Sequence, residues 1–99
     1  ANAVWALAKA GVSWQSLEER QIDRQLAHAI AAHQDDFNAI DASSVLWALT
    51  RAGLSFETLS RRLPFLLDAF TAMLLRLAPA MRAQDLGNVL WALGRMGAD

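Results

Sequence analysis

The chain has 99 residues, 55% of them hydrophobic, with 9 Lys and Arg against 10 Asp and Glu and no cysteine. That length bounds it to one small domain, and the apolar content is well above that of a disordered segment. A formal net charge of −1 gives no overall pull toward nucleic acid, and the lack of thiols excludes disulfides and thiolate metal sites.

Taken in chain order, the string NAVWALAKAG at 2–11 returns as SVLWALTRAG at 44–53 and again as NVLWALGRMG at 88–97. Trp5, Trp47 and Trp91 stand 42 and 44 residues apart (47 − 5 and 91 − 47). Each is followed by Ala-Leu, by a cation four residues on (Lys9, Arg51, Arg95) and by a glycine six residues on (Gly11, Gly53, Gly97). The match extends to Val12-Ser13-Trp14 against Leu54-Ser55-Phe56, and to Phe37, Ala39 and Asp41 against Met81, Ala83 and Asp85. Three copies at such a spacing predict an all-α fold, an α-solenoid of antiparallel helix hairpins with a period of about 42–44 residues. The chain is then a single fragment of a repeat array: a partial repeat over 1–36, a repeat over 37–80 and a partial repeat over 81–99.

Each unit reads as a helix A and a helix B. The first helix A ends at Gly11. The first helix B spans 14–33, with Trp14, Leu17, Ile22, Leu26, Ala29 and Ile30 facing inward. The next helix A spans 39–52, capped by Asn38 with Asp41 in its first turn. Gly53 ends it as a left-handed C′ residue, Leu54 covers its last turn, and Ser55 caps the second helix B. That helix carries the stripe Phe56, Leu59, Leu63, Leu66, Leu67, Phe70, Met73, Leu74 and Leu77. Two extra residues around Pro64 predict a break, with Pro64 near the first position of the longer half. The third helix A spans 83–96, with Arg82 in place of the Asn38 cap.

The most apolar stretch, 63–81, contains Asp68, Arg76 and two prolines, so no membrane association is expected. No charged leader followed by an apolar run stands at the start. The first residue is Ala, inside a helical pattern, so a longer parent is expected. Uncapped ends carrying Val4, Trp5 and Leu7, or Val89, Leu90 and Leu93, predict self-association of the isolated chain.

The three Trp-Ala-Leu strings carry the sharpest signal. Trp5, Trp47 and Trp91, with Gly11, Gly53 and Gly97, are expected to form the structural core of the repeat. Lys9, Arg51 and Arg95 form one cationic row along an edge of a stacked array. They are the candidate partner-binding residues, with helix-end electrostatics as the other reading. His28 and His33, five apart, do not share a helix face, and His33 is expected to be partly buried. Glu18, Glu19, Asp23, Arg20 and Arg24 read as a solvated face of helix B, and Asp35 and Asp36 as a solvated loop. No nucleophile with an adjacent base, paired catalytic carboxylates or phosphate loop is present, so no enzyme activity, cofactor or metal site is expected.

The WAL-x-[KR]-x-G motif with Asp41 or Asp85 before it resembles the repeat-rich type III effectors of plant-pathogenic bacteria, the XopAD and Skwp group. The resemblance covers essentially the whole chain. It implies HEAT/armadillo-like units, a protein partner, and secretion into a host cell; without it, the cytoplasm is the expected location. Where that group carries Ser-Lys-Trp-Pro, this chain reads Ala8-Lys9-Ala10-Gly11, Thr50-Arg51-Ala52-Gly53 and Gly94-Arg95-Met96-Gly97, so only the basic residue persists. A second resemblance, on Asp85-Leu86 and Leu90-Trp91-Ala92-Leu93, is to the octotricopeptide repeats, and implies single-stranded RNA as the alternative partner. Neither implies a catalytic residue.

Overall fold

The computed structural model describes residue 6 and residues 9–97. Among the described residues every regular element is a helix: α1 (Trp14–Glu19), α2 (Asp23–His33), α3 (Ala39–Arg51), α4 (Phe56–Arg62), α5 (Pro64–Leu77) and α6 (Ala83–Gly97). Short 3-10 turns, Gln34–Asp36 and Ala78–Ala80, lead toward α3 and α6. In the first motif the Ala10 N–H donates to the Ala6 carbonyl at 3.0 Å, one helical turn. No single helix among the described residues is long and apolar enough to cross a membrane.

The helix expected over 14–33 is two helices. The α1 helix ends with Gln21 at φ +61°. The Gln21 N–H donates to Glu18 O and the Ile22 N–H to Leu17 O, both at 3.0 Å. These are the paired hydrogen bonds of a left-handed helix stop, here built on a residue that is not glycine. Beyond the stop, Leu26 and Ile30 face the core as expected. Ile22 and Ala29, expected inward, are exposed, and Ala27 is buried in their place.

The same stop closes α3 on glycine. Gly53 has φ +94°, its N–H donates to Thr50 O, and the Leu54 N–H donates to Leu49 O, each at 3.0 Å. Leu54 is 2% exposed, so it covers the last turn as expected. The start of α3 is a full capping box. Asn38 Oδ1 accepts from the Asp41 N–H at 2.8 Å, and Asp41 Oδ2 accepts from the Asn38 N–H at 3.1 Å. The α6 helix keeps half of it: Asp85 Oδ2 accepts from the Arg82 N–H at 3.2 Å and lies 3.4 Å from Arg82 Nε.

Between α4 and α5 the chain bends by 117°. Leu63 leaves the helical region (φ −133°, ψ 50°) and Pro64 opens α5, where its missing N–H costs nothing. Both helices B are therefore broken, one at a proline and one at Gln21. The α6 helix, by contrast, runs through Gly94 and includes Gly97. Gly97 lacks the positive φ of Gly11 and Gly53, so its expected role as a left-handed stop is not observed.

Packing joins like elements. The α6 helix lies against α3, α5 lies against α2, and α5 also touches α3. Ser43, Ser44 and Trp47 share a groove with Asn88, and Thr50 Oγ1 comes within 3.5 Å of Ala92 O near the other end. The two helices A therefore run in the same direction. Leu46, Leu49, Leu59, Leu63, Leu66 and Met73 are sealed between the layers. Each contributes roughly 1.5–3 kcal/mol of burial. The molecule measures 37 × 24 × 23 Å.

Candidate functional site

The cationic row takes its position from the helix A repeat. Arg51 and Arg95 fall at corresponding points of two parallel neighbours, in the last turns of α3 and α6, where a cation favours the negative helix end. Each follows its tryptophan by four residues and folds back over it. The Arg51 guanidinium lies 5.1 Å from the Trp47 ring centroid, and that of Arg95 lies 5.9 Å from the Trp91 ring. Such contacts contribute about 0.5–1 kcal/mol at exposed sites. Lys9, Arg51 and Arg95 are all exposed. The W-A-L-x-[KR] spacing, read as core plus cation, is also an arginine–tryptophan pair. The four-residue interval was the signal that could have shown it.

The tryptophans are not equally buried. Trp47 is half-buried against the core and Trp91 is 48% exposed, so the expectation that Trp91 sits inside is corrected. A neighbouring helix A covers α3, and among the described residues nothing covers α6 in the same way. Trp5 lies outside the described residues. Trp14 is the buried indole: it is 2% exposed, with its Nε1 unpartnered, and its backbone N–H donates to Ala52 O at 2.7 Å.

Of the polar side chains read as a solvated face, Glu19, Arg20 and Arg24 are exposed as expected, while Glu18 and Asp23 are drawn into a clamp. Asp23 is 4% exposed. Arg62, from the end of α4, reaches back so that its Nη1 lies 3.2 Å from Glu18 Oε2 and its Nη2 lies 3.6 Å from Asp23 Oδ2. No hydrogen bond reaches that Asp23 oxygen, so its contact with Arg62 is electrostatic. Arg24 Nη2 donates to Arg62 O at 3.2 Å. The clamp thus joins the two helix B breaks. Arg76 does similar work at the other end of α5, donating to Gln34 O at 2.6 Å and Phe37 O at 3.1 Å. None of these contacts is local in sequence, so periodicity could not reveal them.

The histidines stay apart. His28 stacks on Phe65 with ring centroids 4.1 Å apart and planes 7° apart. His33 is exposed rather than partly buried, its Nδ1 3.8 Å from Asp36 Oδ2. Among the described residues no three His, Cys, Asp or Glu side chains converge as metal ligands would.

An apolar hollow of about 250 Å³ opens between α4, α5 and α6, with Phe56, Leu67, Leu74, Leu75, Leu93 and Met96 in its walls. No protein family, curated protein or solved structure matches this chain.

Proposed function

We propose that this chain is a stretch of α-solenoid that serves as a binding scaffold, with protein as its partner. One observation carries the reading: α6 repeats α3 at a 44-residue offset and lies against it in parallel, while α5 lies against α2. Stacked hairpins of this kind offer extended surfaces and suit recognition better than catalysis. The net charge of −1 favours a protein over a polyanion. The resemblance to type III effectors supports delivery into a host cell; the cytoplasm is the setting without it.

The test is capture by the immobilised chain from plant-cell lysate, at low and at high salt. Retention of a discrete protein that survives high salt and is displaced by free chain is the expected result. The arginine-capped pairs Trp47–Arg51 and Trp91–Arg95 favour a second reading, single-stranded RNA. A gel shift with pooled RNA that fades as salt rises would select it. Retention of neither class would leave a rigid spacer and end the binding proposal.

A further inference from the structure

Helix A carries the same outward stripe in α3 and α6. On α3 it is Ile40, Ser44, Trp47 and Arg51, and on α6 it is Gln84, Asn88, Trp91 and Arg95, each set at i, i+4, i+7 and i+11. That spacing puts each set on one side of its helix. Ser44 and Trp47 are half-buried and the other six are exposed, while Ala42, Val45, Leu46 and Leu49 of α3 point elsewhere and are buried. The stripes run along the flank of the stack, so a further hairpin at either end would lengthen this face and not cover it.

The flank is electrostatically one-sided. The carboxylates of α3 and α6 are Asp41 and Asp85, both drawn into helix starts. They stand ten residues before Arg51 and Arg95 (51 − 41 and 95 − 85), about 15 Å along the axis. Arg61, Arg62 and Arg82 have carboxylate partners, and Arg24 and Arg76 donate to carbonyls. Among the described residues Arg51 and Arg95 have no ion pair or hydrogen bond; each touches only its indole. Holding the guanidinium over the ring limits its motion and leaves its N–H donors unspent, which suits a carboxylate taken in two parallel hydrogen bonds. The same contact takes up a face of each indole, so the rings are poorer platforms for bases. Between the stripes lies a groove of about 190 Å³ lined by Ser43, Ser44, Trp47 and Asn88. The Ser44 and Asn88 side chains make no hydrogen bond among the described residues.

We infer that this flank binds an acidic, extended polypeptide segment laid across the helices A, with successive carboxylates on Arg51 and Arg95. An α-helix, roughly 10–12 Å across with its side chains, is too wide for the groove. A single extended chain fits, and its backbone N–H and C=O groups can meet the Ser44 hydroxyl and the Asn88 amide. Neighbouring helices pack roughly 8–10 Å apart. A polyproline II chain returns to the same side every third residue, about 9 Å on. Carboxylates three residues apart therefore reach successive arginines. This rests on the binding-scaffold reading and names the partner's chemistry and the surface.

The experiment titrates the full chain, at low ionic strength, into a fluorescently labelled peptide of repeated Asp-Pro-Pro triplets, read by anisotropy. Saturable binding is expected. Arg51→Gln combined with Arg95→Gln should weaken it at least about tenfold, a loss of about 1.4 kcal/mol. Both side chains are exposed, so the variant should keep its fold by circular dichroism. Arg20→Gln combined with Arg61→Gln removes the same charge from the helix B side and should bind normally. An isomeric peptide with its Asp residues in one block should bind more weakly. Absence of saturable binding overturns the proposal. Equal binding of the isomer, or equal losses in the two double variants, also overturns it by reducing the effect to unspecific charge attraction. Tighter binding of an oligouridine of equal charge, lost in the Arg51 and Arg95 variant, overturns it and assigns the flank to RNA. Capture of a lysate protein at high salt, where these ion pairs are screened, tests the broader reading on its own, so either can fail without the other.

Discussion

Gly53→Ala and Gly97→Ala remove the same residue from the same repeat position, and the structure assigns them different outcomes. Gly53 sits at φ +94° with nothing within 4 Å of a Cβ built on it. The cost of alanine there is therefore conformational and not steric. An L-residue in the left-handed region loses roughly 1–2 kcal/mol. The bonds from the Gly53 and Leu54 N–H groups, both 3.0 Å, depend on that conformation. Gly97 is helical, and its added Cβ would meet Phe56 Cδ2 at 3.3 Å. Phe56 is 37% exposed, so its ring can yield by a few tenths of an ångström. Against that stands a gain of up to about 1 kcal/mol from replacing a helical glycine, reduced near a helix end. Gly97→Ala should lie between unchanged and about 1 kcal/mol more stable. Urea and thermal unfolding followed by circular dichroism read both variants. For a domain of this size about 1 kcal/mol moves Tm by roughly 4–8 °C, so Gly53→Ala should fall at least that far. If Gly97→Ala fell equally far, both glycines would be left-handed stops and the distinction drawn between α3 and α6 would be wrong.

Four further outcomes can be measured the same way. Gln21→Gly should stabilise by about 0.5–1 kcal/mol, because φ +61° suits glycine; a loss of stability would place Gln21 in a helix instead. Asn38→Ala should cost about 1 kcal/mol through loss of the capping box, and an unchanged urea midpoint would argue against the box. Trp14→Phe should stay within about 1 kcal/mol of the parent: it removes a buried, unpartnered indole N–H, and Phe56 fills the matching position. Trp14→Ala, leaving a cavity, should cost about 3–5 kcal/mol, and equal losses in the two would assign the indole a specific role. Arg62→Met leaves Asp23 buried without its cation and should cost about 1–3 kcal/mol. Adding Asp23→Leu should recover part of that loss, and strict additivity of the pair would mean that the clamp carries no coupling.

The helix A of the middle unit was legible nearly to the residue, because its ends carry local chemistry. Asn38 with Asp41 marks the start and Gly53 with Leu54 marks the stop. Pro64 marked one helix B break for the same reason. The break at Gln21 carried no glycine or proline, so beyond it the expected stripe holds at Leu26 and Ile30 but fails at Ile22 and Ala29. Gly97 shows the converse: the glycine is present, yet it is itself helical and lacks the positive φ of a left-handed stop. At the candidate site the row of Arg51 and Arg95 was legible as spacing. The clamp of Arg62 on Glu18 and Asp23 was not, since its partners are some forty residues apart.

The amino-acid order by itself determined the helical class, the period and the capped ends, because these depend on interactions within about one turn of the chain. Which tryptophan is covered among the described residues and which carboxylate is buried were decided only by tertiary packing. Trp47 and Trp91 stand in near-identical strings, yet among the described residues one has a neighbouring helix laid over it and the other does not. Burial is a property of what arrives from elsewhere in the chain, and identical local sequence cannot encode a difference in neighbours.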